Sequence, residues 1–463
     1  MTEQLKLKLN DSKATRWGAL VIVAFTMMAA YYVNDVVAPL KTMLETDLAW
    51  SSTDFGFFTG GYSFLNVFFL MLIWGGLILD RFGIRFTGKL ATILMVGGTA
   101  LEYYAMTGLA GADATLFGIN EIFGYKTGVF VAFAGYSIFG VGAEVAGITV
   151  SKIIAKWFKG KELATAMGVQ VALARIGSQA GYAVAIPLAR AFGISTPVLL
   201  GLVLLLGGMI AFFIFAVMDK KLDKQMEAAA IAAGTEDEEE KFSFKDVKNI
   251  LVNPGFWLIA LLCVLFYSCV FPFQKFASEL MIIKYGINEN VAGTFAGLPA
   301  LGALILTPVF GGFTDKRGKS ASIMLLGSAM LICVHFIYAI PDINYWLVAI
   351  VLMIILGIAF SLVPSAMWPA VAKIFPVSQL GTAYALIFFI QNIGLWGIPT
   401  LIGWVLDAYC ISGKKPDGTN MYDYTVPMCI FTGIACLSLI VALLLKKADK
   451  KYGYKLEEPN IQK

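Results

Sequence analysis

Two opposite charges interrupt strongly apolar parts of this sequence. Glu144 sits in "GVGAEVAG" and Arg175 in "VQVALARIGS", each among small and apolar residues. An arginine presents a flat, permanently charged fork of donors that matches a carboxylate. A carboxylate matches an ammonium group. Together the two suit a small zwitterion. The ends of an extended dipeptide lie about 6–7 Å apart, at roughly 3.3–3.6 Å of backbone per residue. That length can bridge side chains on neighbouring helices. A single amino acid is shorter and carries the same two groups. The alternative is a Glu–Arg bridge that only pins two helices, packed about 8–10 Å apart. A buried pair rarely offsets its own desolvation, which makes it poor glue.

Composition identifies the elements that must hold these charges. Of 463 residues, 59% are hydrophobic and 14% charged, against about 25% charged in soluble domains. Apolar runs of roughly 20 residues, enough to cross a bilayer, recur along the chain. We read an all-α membrane protein with twelve spans, near 17–44, 53–79, 86–109, 127–157, 161–190, 196–218, 255–284, 290–314, 319–340, 344–374, 379–407 and 422–446. The organisation expected is a tail (1–16), a six-helix bundle (17–218), a linker (219–253), a second six-helix bundle (254–446) and a tail (447–463). Lys and Arg cluster at the N-terminus (Lys6, Lys8, Lys13, Arg16) and after the even spans, as in Lys156, Lys159 and Lys161. The positive-inside rule then places both termini in the cytoplasm. The first sixteen residues show no signal-peptide cleavage pattern. The linker carries the acidic run "EDEEE" (236–240), read as a solvated stretch, and "FSFKDVKNIL" (242–251), which suits a short helix on the membrane surface. No metal-ligand spacing, ATP-binding loop or catalytic constellation appears, so neither an enzyme nor a pump is expected, and no cofactor. The cysteines read as packing residues, with a Cys410–Cys429 disulfide the one pairing considered.

Spans four and five form a hairpin turning near 159–160. Glu144 lies 15.5 residues before that centre and Arg175 15.5 after it, so both sit about 23 Å from the turn at 1.5 Å per residue. Each lies on a stripe of small and polar residues: Ser137, Gly140, Glu144, Gly147, Ser151 on one span and Gly168, Ala172, Arg175, Gln179, Tyr182 on the next. Such faces line cavities or let helices approach closely.

The halves repeat. "GGLILDRFG" (75–83) and "GGFTDKRG" (311–318) share Gly-x-x-x-Asp followed by Gly. "WFKGKELATAMGVQVALARIG" (157–177) aligns without gaps to "IFPVSQLGTAYALIFFIQNIG" (374–394) with six identities. At that offset Glu144 meets Ser361 and Arg175 meets Asn392, so the repeat itself does not require the charges. Duplicated six-span halves mark transporters whose site lies between them. These residues resemble the major facilitator superfamily. Gly76, Asp80, Arg81, Gly83 and Arg85, with Asp315 in the repeat, resemble its loop signature. In the family this loop latches neighbouring helix ends in the outward-open state; the alternative is that its basic residues only enforce orientation. "WFKGKEL…ARIGS", "NPGFWLI…VFPF" and "WPAVAKIFPVSQLGTAY…QNIG" are similar to the lysosomal dipeptide-uniporter branch. That resemblance implies facilitated diffusion of dipeptides, with Glu144 and Arg175 at the positions that recognise the peptide termini. The N-terminus lacks the acidic dileucine sorting signal of eukaryotic members, and a prokaryotic plasma membrane fits better.

Further cavity candidates are Tyr31 and Asp35 on span one, Tyr62 and Asn66 on span two, Tyr267 and Lys275 on span seven, Trp368 on span ten, and Gln391 and Asn392 on span eleven. For Tyr62, Tyr267 and Trp368 the alternative is ordinary packing. Lys275 and Glu279 are four apart and suit a local pair. Glu102 and His335 are expected to snorkel or cap their helices. The expected partners are a dipeptide, or another small zwitterion or anion, and membrane lipids; no nucleic acid is expected, and the functional unit is a monomer. Two other readings stay open: a proton-coupled carrier of small organic anions or amino acids, and a non-transporting membrane sensor.

Overall fold

The computed structural model describes residues 8–111, 114–158, 161–233 and 244–459. Its first half contains α1 (Lys13–Val36), α2 (Lys41–Asp47), α3 (Ser52–Phe68), α4 (Met71–Thr107), α5 (Thr127–Trp157), α6 (Leu163–Phe192) and α7 (Thr196–Ala233). The second contains α8 (Phe244–Val252), α9 (Pro254–Tyr285), α10 (Glu289–Ala296), α11 (Leu298–Arg317), α12 (Ser320–Ala339), α13 (Trp346–Ile374), α14 (Val377–Tyr409) and α15 (Thr425–Tyr452). Two short antiparallel hairpins complete it. β1 (Glu121–Ile122) and β2 (Tyr125–Lys126) precede α5; β3 (Ile411–Lys414) and β4 (Asn420–Tyr422) precede α15.

Among the described residues nine helical stretches are long and apolar enough to cross a bilayer, or ten counting a bent pair. The expected twelve passes are consistent with this path once two elements are understood. Helix α6 is not among the nine; it carries Gln170, Arg175, Ser178 and Gln179, and those polar groups dilute its hydropathy. The bent pair α3–α4 holds two passes, not one. Before Gly83 its contacts run in step with α5: Gly61 on Phe133, Tyr62 on Gly140, Gly75 on Val145, Asp80 on Lys152. After Gly83 they run against it: Ala91 and Met95 on Gly142, Gly98 on Phe139, Leu109 on Gly128. The chain reverses at Gly83, whose φ of 75° is open to a residue without a Cβ.

Helix α7 continues to Ala233, past the expected end at 218. Its extension is rich in Lys and Ala, good helix formers that need no membrane around them. Helix α8 forms over most of the expected amphipathic segment 242–251 and ends one residue beyond it. The acidic run 236–240, the turn at 159–160 and Lys6 lie outside the described residues.

The described residues before α1 and after α15 pack at one end of the bundle, here the terminal face. Arg16 donates to Glu162 at 2.9 Å and the Leu9 N–H donates to Gln225 at 2.8 Å. Residues after α15 cap α12, with Glu457 accepting from the Ser322 N–H at 2.8 Å. The hydrogen bonds and ion pairs Lys41–Glu279, Lys275–Asp35, Gln179–Thr294 and Arg190–Asn290 join the two halves toward the opposite end, the far face. There α3 meets α14 so closely that a Cβ on Gly56 would stand 2.4 Å from the Pro399 carbonyl and one on Gly403 2.3 Å from that of Ser52. The Asp407 carboxylate accepts from the Ser52 and Thr53 backbone N–H groups at 3.3 and 2.6 Å, an anion from one half on a helix N-terminus of the other.

Two expectations are overturned. Lys275 and Glu279 do not pair with each other; each finds a partner on the first half, Asp35 at 3.2 Å and Lys41 at 2.5 Å. Glu102 and His335 do not snorkel. Both are fully buried, the His335 ring stacked on Phe431 with Nε2 3.0 Å from the Cys269 carbonyl. Neighbouring helices cover these positions, which a lone-helix argument cannot see. All six cysteines are free, so Cys410 and Cys429 form no disulfide.

Candidate substrate site

A cavity of about 570 Å³ lies between the halves, and both Glu144 and Arg175 line it. They reach it from adjacent helices. On α5, Gly140 admits the backbone of α3: a Cβ there would stand 2.0 Å from the Tyr62 carbonyl. That approach brings the Tyr62 hydroxyl to Glu144, to which it donates at 3.0 Å. On α6, Arg175 extends between two rings. Its guanidinium carbon is 5.6 Å from the centre of Tyr31, in its own half, and 4.8 Å from that of Phe360, in the other.

Glu144 and Arg175 form no ion pair with each other, and no carboxylate among the described residues lies within ion-pair distance of Arg175. The helix-pinning bridge is therefore absent from this conformation. The guanidinium keeps its donors for a ligand while ring faces shield its planes. Glu144 keeps one carboxylate oxygen beyond the one Tyr62 holds.

The stripes divide in two. Glu144, Gly147, Ser151 and Arg175 border the cavity, whereas Gln179 and Tyr182 leave it to meet the other half. The Gln179 amide donates to the Thr294 carbonyl at 3.3 Å, and Tyr182 packs on Gly293 and Gly297. Of the remaining candidates, Tyr31, Tyr62, Tyr267, Lys275, Trp368, Gln391 and Asn392 line the cavity. Trp368 stacks on Phe388 and Tyr267 on Phe271, so one wall is aromatic. Asp35 and Asn66 are not lining residues. Asn66 is buried behind Tyr62. Asp35 sits toward the far face, accepting from the Ser178 hydroxyl and pairing with Lys275. Lys275 also donates to the Asn34 carbonyl at 2.6 Å, and the Tyr136 hydroxyl donates to the same carbonyl at 2.7 Å. Asn34, Lys275 and Tyr136 border the cavity, so its roof is one of the contacts that join the halves. Ser151 and Val171, on the terminal side, are exposed.

Sequence reasoning missed Asn34, Tyr136 and Gln170. The last was legible: it is a lone amide in an apolar stretch, five residues before Arg175 on the same helix.

The loop signature is engaged within the first half. Asp80 pairs with Lys152 at 3.1 Å, and Arg85 with Asp223 at 2.8 Å. Lys156 reaches Asp219 at 2.7 Å. Arg81 stands over the Phe82 ring, a Cβ added at Gly76 would meet nothing within 4 Å, and Asp315 lies in the last turn of α11. Beside them Glu162, before α6, is held below the usual carboxylate range by its own backbone N–H and by the Arg16 guanidinium.

A bundle of two joined halves around a central charged cavity defines a multi-pass integral membrane transporter, not an enzyme. The Major Facilitator Superfamily model matches residues 20–399 and 276–458, and the chain belongs to that family. It is 29% identical over 454 residues to the human "Lysosomal dipeptide transporter MFSD1", covering 95% of this chain and 88% of the relative. The protein of the same name from Danio rerio is 26% identical over 441 residues, covering 93% and 86%. The fold is similar to that of a point mutant of the nucleoside transporter NupG, with TM-score 0.68 at 12% identity, covering 92% of this chain and 98% of that one. It is similar also to a bacterial homologue of the human lysosomal transporter Spinster, with TM-score 0.62 at 14% identity, covering 98% and 99%.

Proposed function

We propose that this protein carries dipeptides across the membrane by alternating access and facilitated diffusion. Arg175 holds the peptide carboxylate and Glu144 its amino group, with Tyr62 orienting Glu144. The observation that carries the reading is one cavity with two opposite charges that do not satisfy each other. A ligand bearing both charges satisfies both at once, and an extended dipeptide spans about 6–7 Å. The volume falls within the range of roughly 300–1,000 Å³ usual for small-molecule sites and leaves room for side chains. The aromatic wall offers apolar contact without a fixed hydrogen-bond pattern, which suits varied side chains. The names of the relatives support the same cargo.

The two six-helix bundles are the moving bodies, and 219–253 links them. By the charge rule the terminal face is cytoplasmic, and the conformation joined at the far face is then inward-facing. A prokaryotic plasma membrane is the proposed location, and a monomer the working unit.

Reconstitution in proteoliposomes tests the cargo. Dipeptide counterflow without a proton gradient is the expected result. Uptake that requires the gradient would replace facilitated diffusion with symport, and binding without flux would make the protein a sensor.

A further inference from the structure

The far face carries a buried cluster of charges that substrate recognition does not use. Lys41, on α2, donates to Glu45 one turn on and to Glu279 on α9, each at 2.5 Å. The side chains of Lys41, Glu45 and Glu279 are 1%, 4% and 1% exposed. Two carboxylates and one ammonium leave this site one negative charge in excess. The balance comes from a third place. Lys415, in the turn between β3 and β4, stands 3.5 Å from Glu45 Oε2 and 3.6 Å from Glu279 Oε1. It therefore touches one carboxylate from each half.

The same hairpin seals the cluster in other ways. The Tyr422 ring lies under the Lys41 ammonium at 4.7 Å, and its hydroxyl donates to Asp407 at 2.7 Å. Asp407 in turn caps the N-terminus of α3 across the interface. Just beyond β4, the Tyr424 hydroxyl donates to Glu279.

We propose that the hairpin 411–422 is a lid that locks the far face closed, with Lys415 as its key. Without this cation, two buried carboxylates share one lysine, and the closed state is penalised. With it the cluster is neutral, but it is no strong glue. Lys415 sits beyond hydrogen-bond distance of both partners, and buried pairs gain little over their hydrated forms. That balance suits a lock that must release in every cycle. When the halves part, Lys415 must leave Glu45 or Glu279, and the freed groups meet water. The inference rests on alternating access, not on the identity of the cargo.

The test is a distance measurement without substrate. Spin labels at Thr46→Cys and Asp342→Cys, one on each half at the far face, report separation in protein whose native cysteines are replaced by serine. The starting protein should show mainly the short distance. Lys415→Met should move the closed-to-open ratio toward open by at least about tenfold, because two buried carboxylates then share Lys41 alone and the excess buried charge is costly. Lys415→Arg should match the starting protein. Adding Glu45→Gln to Lys415→Met restores neutrality and should restore the short distance. An unchanged distance distribution in Lys415→Met, or no recovery in the double variant, would overturn the lid. Loss of dipeptide transport alone would bear on the cargo and leave this result untouched.

Discussion

Arg175→Lys keeps the charge in the cavity and removes the fork, so it isolates what the guanidinium contributes. Two losses can be counted. A carboxylate held by two parallel hydrogen bonds falls to one, a change of about 1 kcal/mol. The flat cation also lies against two rings, Tyr31 at 5.6 Å and Phe360 at 4.8 Å. At roughly 0.5–1 kcal/mol for a partly exposed pair, and with lysine retaining part of it, this adds about 1 kcal/mol. The sum, about 2 kcal/mol, corresponds to roughly a 30-fold weaker site. The assay is the concentration dependence of dipeptide counterflow in proteoliposomes. Half-saturation should rise about 30-fold, while melting temperature and elution volume stay unchanged. Phe360→Leu removes one ring and no charge, and should cost a few-fold. Its effect would show that the opposite half helps hold the cation. Unchanged half-saturation in Arg175→Lys would refute the reasoning, because a point charge would then serve as well as a fork.

Other consequences are smaller. Tyr62→Phe removes the phenol that holds Glu144, a bond to a charged group worth about 1.5 kcal/mol at its low end, and half-saturation should rise about tenfold. Gly140→Ala places a Cβ 2.0 Å from the Tyr62 carbonyl and should lower stability by about 1–3 kcal/mol in thermal melts. Gly168→Ala meets nothing within 4 Å and should not. Glu162 has a depressed pKa in the folded state, so its contribution is present above the ordinary carboxylate range and lost as pH falls through the folded value. The melting difference between the starting protein and Glu162→Gln should therefore be largest near neutrality and vanish in acid.

The central pair was legible because charge in an apolar run is costly and the turn between spans four and five fixes relative depth. The aromatic flank of Arg175 was not: Phe360 lies in the other half, and no local pattern marks a phenylalanine that will face an arginine. The same limit explains Lys275 and Glu279. Their spacing suggested a local pair, but α1 and α2 bring opposite charges in complementary order, and each side chain pairs across the interface. The reversal at Gly83 falls in the loop expected between the second and third spans, and the structure narrows it to one non-helical residue between two helical segments. Glu102 was misjudged for another reason. Its position on its own helix suggested an end, while the packing of α5 over it leaves no route to water.

The most direct test of the account uses peptides with one end capped. Counterflow is measured for a free dipeptide, its N-acetyl form and its C-terminal amide, in the starting protein, Glu144→Gln and Arg175→Lys. Acetylation should weaken transport strongly in the starting protein and little in Glu144→Gln. Amidation should likewise be discriminated less by Arg175→Lys than by the starting protein. Equal penalties for each cap in all three proteins would contradict the claim that these two side chains read the two ends of the substrate.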